Sequence, residues 1–377
     1  MLVSTYSISG ILPFMLEYYK HYSSRQVDIL ISIPSFAIML MILINTWLAR
    51  YLNERLMING GLLLLSVSGA APLFIQNYTF VLFTRILLGL GIGLVNSRAV
   101  SIISERFDGK ERTALLGYRS AAETLGNAVL TFIAGQLLLL HWTKAFSIYA
   151  FGLIILAFYL LFVPDEKKHT SVPAHASSTV SVKFNHSSVL MTFFYAVSAG
   201  CLICTSSSIS MRIPLLVLEK GYANESQAST VLGIFLLVGI ISGILYGKLV
   251  SIAREHLFLI SALACCCGLL IMSQAYTLPI LIIGAVISGL AHTAAITCVF
   301  NGLPDHLPKE LVHAATSMVL IGCNLGASST PFIIGFAEQI RPGASTAFYA
   351  CGILLSAAGI INTILNKIKP EAAISVR

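Results

Sequence analysis

Glu123 is the residue best placed to do chemistry in this chain. It lies ten residues into an apolar run that starts near residue 113, about 15 Å along the axis at helical rise. A charge at mid-membrane costs about 2.5–3.5 kcal/mol on insertion scales, so it must face a cavity or a partner. Arg119 stands four residues earlier on the same helical face, where an ion pair forms readily. Arg98, in the preceding run, falls at a similar depth to Arg119. A carboxylate held between an arginine and apolar surroundings can exchange a proton for a substrate, because the two influences pull its protonation in opposite directions. The same residues can equally form a static bridge between two helices, and the sequence leaves both readings open.

Other polar groups in apolar runs are few. Arg85 sits six residues into the run that starts at 79, either in a functional role or as an arginine reaching back to the interface. His292 stands alone near the middle of a later run, as a proton site or as a histidine bonded to a neighbour. Asn127, Asn301, Asn324 and the stretch Thr205-Ser206-Ser207-Ser208 carry groups that cannot stay unpaired in lipid. They line a cavity or bond between helices. Of these, Asn324 is expected to share a cavity with Glu123.

The wider composition narrows the function classes. The chain has 377 residues, 56% hydrophobic and 10% charged, with mean hydropathy +0.86. Soluble domains carry about 25% charged residues, so this is a membrane protein in contact with a lipid bilayer. The net charge of +7 comes from scattered single residues and not from a basic stripe, which excludes nucleic acid as a partner. All eight cysteines lie in the second half, each within an apolar run. Cys201-x-x-Cys204 has no second pair or histidine cluster beside it, so small apolar packing is expected, with no metal and no cofactor. Gly89-x-Gly91-x-Gly93 lies within an apolar helix with no strand before it, so it is no nucleotide loop; close helix packing is its expected role. Gly239-x3-Gly243-x3-Gly247 is read the same way. No set of catalytic side chains converges, so an enzyme is not expected.

Apolar runs able to cross about 30 Å of hydrocarbon fall near 27–47, 57–75, 79–101, 113–140, 143–163, 188–211, 228–252, 257–275, 278–303, 312–337 and 345–366, after a shorter one at 1–16. The fold class is therefore all-α, with twelve transmembrane helices. A weak internal repeat divides them. Leu125-Gly126 and Phe132-Ile133-x-Gly135 reappear as Leu325-Gly326 and Phe332-Ile333-x-Gly335, and Gly89-Leu90 as Gly289-Leu290. Two pseudo-repeated six-helix bundles follow, at 1–163 and 188–377, joined by a polar linker at 164–187. Pro13 and Glu17 correspond to Pro214 and Glu219, so the first helix reads as shortened at its start. With both termini inside, the cytoplasmic loops hold 14 Lys and Arg against 5 in the outer loops. The expected location is the cell membrane, multi-pass, with both termini and the linker cytoplasmic.

This organisation resembles the major facilitator superfamily over essentially the whole chain. Arg85-x-x-x-Gly89-x-Gly91-x-Gly93 is similar to that family's motif of an arginine and spaced glycines in the fourth helix. Lys110-Glu111-Arg112 through Gly117 resembles its basic loop into the fifth helix. Asn324-Leu325-Gly326 with Pro331 and Gly335 is similar in the eleventh. The loop after the second helix departs from the family pattern: Leu48, Ala49 and Arg55 remain, while Arg50 replaces an acidic residue and Glu54 a basic one. Gly126-Asn127 likewise keeps only the first glycine of the signature found in drug–proton antiporters.

The resemblance implies a secondary active transporter, a monomer, moving a small molecule by alternating access with a proton or another ion, in a drug-efflux-like branch. It also implies a proton-transfer role for Arg85. Arg50, Glu54, Arg55, Gly89, Gly91, Gly93, Gly126, Gly326 and Pro331 are the expected gating and packing residues. Export is the expected direction. The alternatives are an importer, a narrow metabolite transporter, or a sensor-like relative that does not transport.

Overall fold

The computed structural model describes residues 4–48, 51–107, 109–163, 186–253, 256–307 and 309–367. Within them the chain is nearly all helical, and no strand occurs among the described residues. Twelve helices follow in order: α1 (Leu12–Tyr18), α2 (Ser24–Leu48), α3 (Glu54–Ala70), α4 (Tyr78–Arg106), α5 (Gly109–Leu137), α6 (Phe151–Phe162), α7 (His186–Lys220), α8 (Glu225–Ala253), α9 (Leu257–Ser273), α10 (Leu278–His306), α11 (Lys309–Ile340) and α12 (Thr346–Lys367). Among the described residues, eight helical segments are long and apolar enough to cross a membrane. Side chains such as Ile244 and Leu161, each 78% exposed, are the lipid-facing surface that such helices require.

Two elements differ from the sequence reading. The first apolar run is not one helix: it forms two short 3-10 turns, Ser4–Tyr6 and Ser9–Ile11, before the seven residues of α1. The run from 143 to 163 begins as a nine-residue 3-10 stretch, Trp142–Ala150, and only then becomes α6. Tyr149, from that stretch, packs where a Cβ on Gly69 of α3 would fall, so the tighter winding brings a ring against a neighbouring backbone.

The repeat recurs in the helix ends. α4 and α10 run over equivalent residues, Tyr78–Arg106 and Leu278–His306. α2 and α8 both open with a reciprocal cap. The Ser23 N–H donates to Gln26 Oε1 (2.9 Å) while the Gln26 N–H donates to Ser23 Oγ (3.3 Å). Asn224 and Gln227 make the same exchange at 3.0 and 2.8 Å. Each pair satisfies backbone donors that the first helical turn leaves orphaned.

Glycine sets the closest helix pairs. On α4, a Cβ at Gly89 would strike the backbone of Pro34 on α2. One at Gly91 would come within 2.7 Å of the Leu65 nitrogen on α3, and one at Gly93 would strike Met41 on α2. On α11, Gly322 and Gly326 abut the backbones of Ala196 and Gly200 on α7. These are the small-residue seams by which helices approach in lipid. Gly239 packs against Thr293 of α10, but Gly243 and Gly247 have open space around them, so the expected long seam on α8 is a single contact. Gly126 also faces open space, unlike its repeat mate Gly326.

The buried apolar side chains gather into two cores. One runs from Tyr6 to Tyr149 and includes Met211 and Ala327; the other runs from Tyr195 to Leu355. Between the halves, α5 packs on α8 and α2 packs on α11.

Candidate functional site

Three polar groups meet where α4 faces α5. The Arg119 guanidinium lies 3.2 Å from the Glu123 carboxylate, one turn along its own helix. Its Nη2 also donates to Asn96 Oδ1 on α4. Asn96 is buried, while Arg119 and Glu123 are partly accessible. Arg98, expected beside them, turns to α3 and pairs with Glu54 at 3.0 Å. Two residues assigned to different roles by sequence, one in coupling and one in gating, therefore form one bridge.

Arg85 is 1% exposed. Its Nε donates to the Leu30 carbonyl (2.9 Å), Nη1 to the Tyr149 hydroxyl (3.1 Å) and Nη2 to the Thr5 carbonyl (2.9 Å). A guanidinium presents its donors in a rigid fork, which here holds three separate elements together. The side chain is packed between helices and does not reach back to an exposed surface. The acceptors are neutral, so the geometry is that of a structural junction.

Asn127 accepts a hydrogen bond from Ser7 Oγ at 2.6 Å, joining α5 to the first turns of the chain. Asn324 donates to the Leu320 carbonyl of its own helix (2.9 Å). α11 packs on α7 and α2 while α5 packs on α8, so Asn324 and Glu123 stand on helices with different packing partners. His292 is buried with its ring 6.0 Å from that of Phe235, and among the described residues no hydrogen bond reaches its Nδ1. Of the gating residues, Arg50 lies outside the described residues, Arg55 is half-buried next to Glu54, and Pro331 lies within α11.

The sequence reading missed the most deeply buried ion cluster. Arg212 of α7 donates through Nη2 and Nη1 to the two oxygens of Asp28 on α2, at 2.7 and 3.2 Å. Through Nε it donates to Glu338 on α11 at 2.9 Å. The Arg212 and Asp28 side chains are 2% and 1% exposed. The cluster joins the two halves at the end where α2 and α8 begin and where α5, α7 and α11 finish. Gln136 donates to Ser226 (3.0 Å) at that same end, and Tyr6 donates to the Ala327 carbonyl (3.0 Å) farther along, at the middle of α11. A Cβ on Gly135 or Gly10 would collide with Ser229. This end is closed.

The Major Facilitator Superfamily profile matches residues 1–331 and, in a second alignment, residues 198–374. The chain belongs to the Major Facilitator Superfamily. Solved structures of similar fold include a bacterial homolog of the human lysosomal transporter Spinster, in an inward-facing and unoccupied conformation (14% identity, 97% of this chain, 93% of that one, TM-score 0.70). A peptide transporter (13%, 97% and 92%, 0.70) and a D-xylose–proton symporter (14%, 99% and 96%, 0.70) are others. At these identities the likeness speaks for the fold. Among curated proteins, a probable L-galactonate transporter of Escherichia coli (strain K12) is 29% identical over 125 residues. That alignment covers 32% of this chain and spans 27% of the relative's length. The superfamily membership and the fold are those of multi-pass membrane transporters. The superfamily match does not distinguish the drug-efflux-like branch expected from the fourth and fifth helices from the others.

Proposed function

We propose that this superfamily member carries a small organic anion, of the hydroxy-acid or sugar-acid class, into the cell together with a proton. The observation that carries this reading is the Arg119–Glu123–Asn96 cluster. An arginine, a carboxylate and an amide suit a polar, anionic substrate better than an amphipathic drug, whose sites are lined mainly by apolar and aromatic groups. The name of the Escherichia coli relative, a probable L-galactonate transporter, supports the same class.

The proposed coupling is a competition for one guanidinium. With Glu123 charged, Arg119 has its counter-ion. A proton on Glu123 removes that counter-ion and frees Arg119 to form a charge-assisted hydrogen bond with a substrate carboxylate. Proton and anion are then carried together. After the proton leaves, Glu123 reclaims Arg119 and expels the anion. Rocking of the two halves exposes this cluster to each side in turn. With the termini and linker cytoplasmic, as the loop charges favour, the closed end faces outward.

The test is uptake of labelled sugar acids by proteoliposomes, with the interior made alkaline relative to the outside. The expected result is concentrative uptake abolished by a protonophore. Accumulation of amphipathic dyes by energised inside-out vesicles, with no acid transported, would overturn the proposal in favour of export.

A further inference from the structure

Arg212 has two carboxylates where one would neutralise it, and the two belong to different halves. Asp28 is on α2; Glu338 and Arg212 itself are on α11 and α7, which are packed together through Gly200, Gly322 and Gly326. We infer that Glu338 is a positioning residue for opening: it holds Arg212 when Asp28 withdraws, so that the guanidinium never stands without a counter-charge. The inference rests on the alternating-access reading above.

The geometry of the fork supports this. Asp28 engages the two terminal nitrogens, while Glu338 engages Nε on another edge. Parting α2 from α7 breaks the first pair of bonds and leaves the third intact. Arg212 is otherwise sealed, and a buried charge stripped of its partner is strongly unfavourable. Glu338 is 27% exposed and borders a cavity of about 380 Å³, which also touches Leu16 and Ser24 of the first half. Water reaching that cavity can hydrate the vacated nitrogens. The neighbouring charges are placed for other work. Glu219 on α7 accepts the Ala344 N–H at 3.0 Å, Arg25 on α2 lies beside Gly335, and Arg341 stacks over the Tyr349 ring.

Two carboxylates on the same arginine should then have opposite effects. Asp28→Asn weakens the bond that opening breaks, so it favours the open end. Glu338→Gln strips Arg212 of the carboxylate that stays bonded to it in the open state, so it favours the closed end. If both residues were merely structural, both substitutions would loosen the cluster. Hydrogen exchange on the full-length protein in lipid nanodiscs distinguishes these cases, because it reports rare openings as amide exchange rates. The amides followed are those of residues 27–35 and 334–340, with residues 262–269 of α9 as an internal measure of intact folding. We expect exchange about thirtyfold or more faster in Asp28→Asn and about thirtyfold slower in Glu338→Gln, the lower end of the effect of losing one partner of a buried charge pair. Faster or unchanged exchange in Glu338→Gln, with Asp28→Asn accelerated, would overturn partner exchange and leave alternation standing. No change in either variant would overturn partner exchange and, with it, opening at this end.

Discussion

Replacing Glu123 with glutamine separates the two roles that this residue can fill. The pair with Arg119 is an i, i+4 contact at 3.2 Å between side chains 24% and 16% exposed. Such partly hydrated pairs stabilise a fold by about 1 kcal/mol or less. Glutamine keeps the length and one acceptor oxygen, so the variant should unfold at nearly the wild-type temperature. Its effect on coupling should be total. A gradient of about one pH unit is worth about 1.4 kcal/mol, enough for about tenfold accumulation when one proton accompanies each substrate. In proteoliposomes the Gln variant should bring substrate only to its outside concentration, while still exchanging labelled for unlabelled substrate across the membrane. Binding should also lose its pH dependence. Under the proposed mechanism wild-type affinity should fall as pH rises, because ionised Glu123 would compete with the anion for Arg119; in the variant that competitor is gone. Retained gradient-driven accumulation by Glu123→Gln would refute the mechanism and leave the pair as a helix tie.

Three further outcomes follow from packing and charge. Gly126→Ala has open space to fill and should stabilise the protein by about 0.5–1 kcal/mol, whereas Gly326→Ala drives a methyl group into the Gly200 backbone and should destabilise it by about 1–3 kcal/mol; thermal unfolding in one detergent compares them, and equal effects would contradict the seam. Arg85→Lys cannot reach Thr5, Leu30 and Tyr149 together and should lose about 2 kcal/mol or more of stability, with the pH dependence of substrate binding unchanged in the folded fraction. Glu54→Arg should slow transport by placing like charges together at Arg98, and the added exchange Arg98→Glu should restore much of the rate; failure of the double variant to recover would show that the bridge is not what matters there.

Much of the fold was legible because the membrane imposes a simple rule. Backbone groups in lipid must be satisfied within the chain, so long apolar runs become helices. The Trp142–Ala150 stretch escaped that rule because a 3-10 turn satisfies the backbone just as locally, and composition does not tell the two apart. Arg119 with Glu123 was legible from spacing alone. The partners of Arg98 and Arg212 were not, since they come from other helices. Asp28 and Glu338 are 184 and 126 residues from Arg212, and each lies near the end of an apolar run, where a charge looks like an ordinary interface residue.

A signal for these residues was nevertheless present in the repeat. Where the two halves agree, they agree in glycines, caps and helix ends, which serve the architecture that both bundles need. The charges of the two clusters and of the Arg98 bridge sit where the halves disagree. In the register set by α4 with α10 and α5 with α11, Arg85 stands opposite Ala285, Arg98 opposite Cys298, Arg119 opposite Val319, Glu123 opposite Cys323 and Glu338 opposite Leu138. α2 and α8 start at Ser24 and Glu225, which sets Asp28 opposite Ser229. Two bundles with identical polar interiors would bind a ligand and a proton equally in each half, and nothing would distinguish the anion from the ion that accompanies it. Confining Arg119 and Glu123 to the first half, and Arg212 with Glu338 to the second, breaks that equivalence. One bundle can then hold the cargo while the other holds the arginine that closes over it. The scaffold can remain symmetric because both bundles need the same close packing, and in the proposed mechanism the charges differ because they choose what is carried.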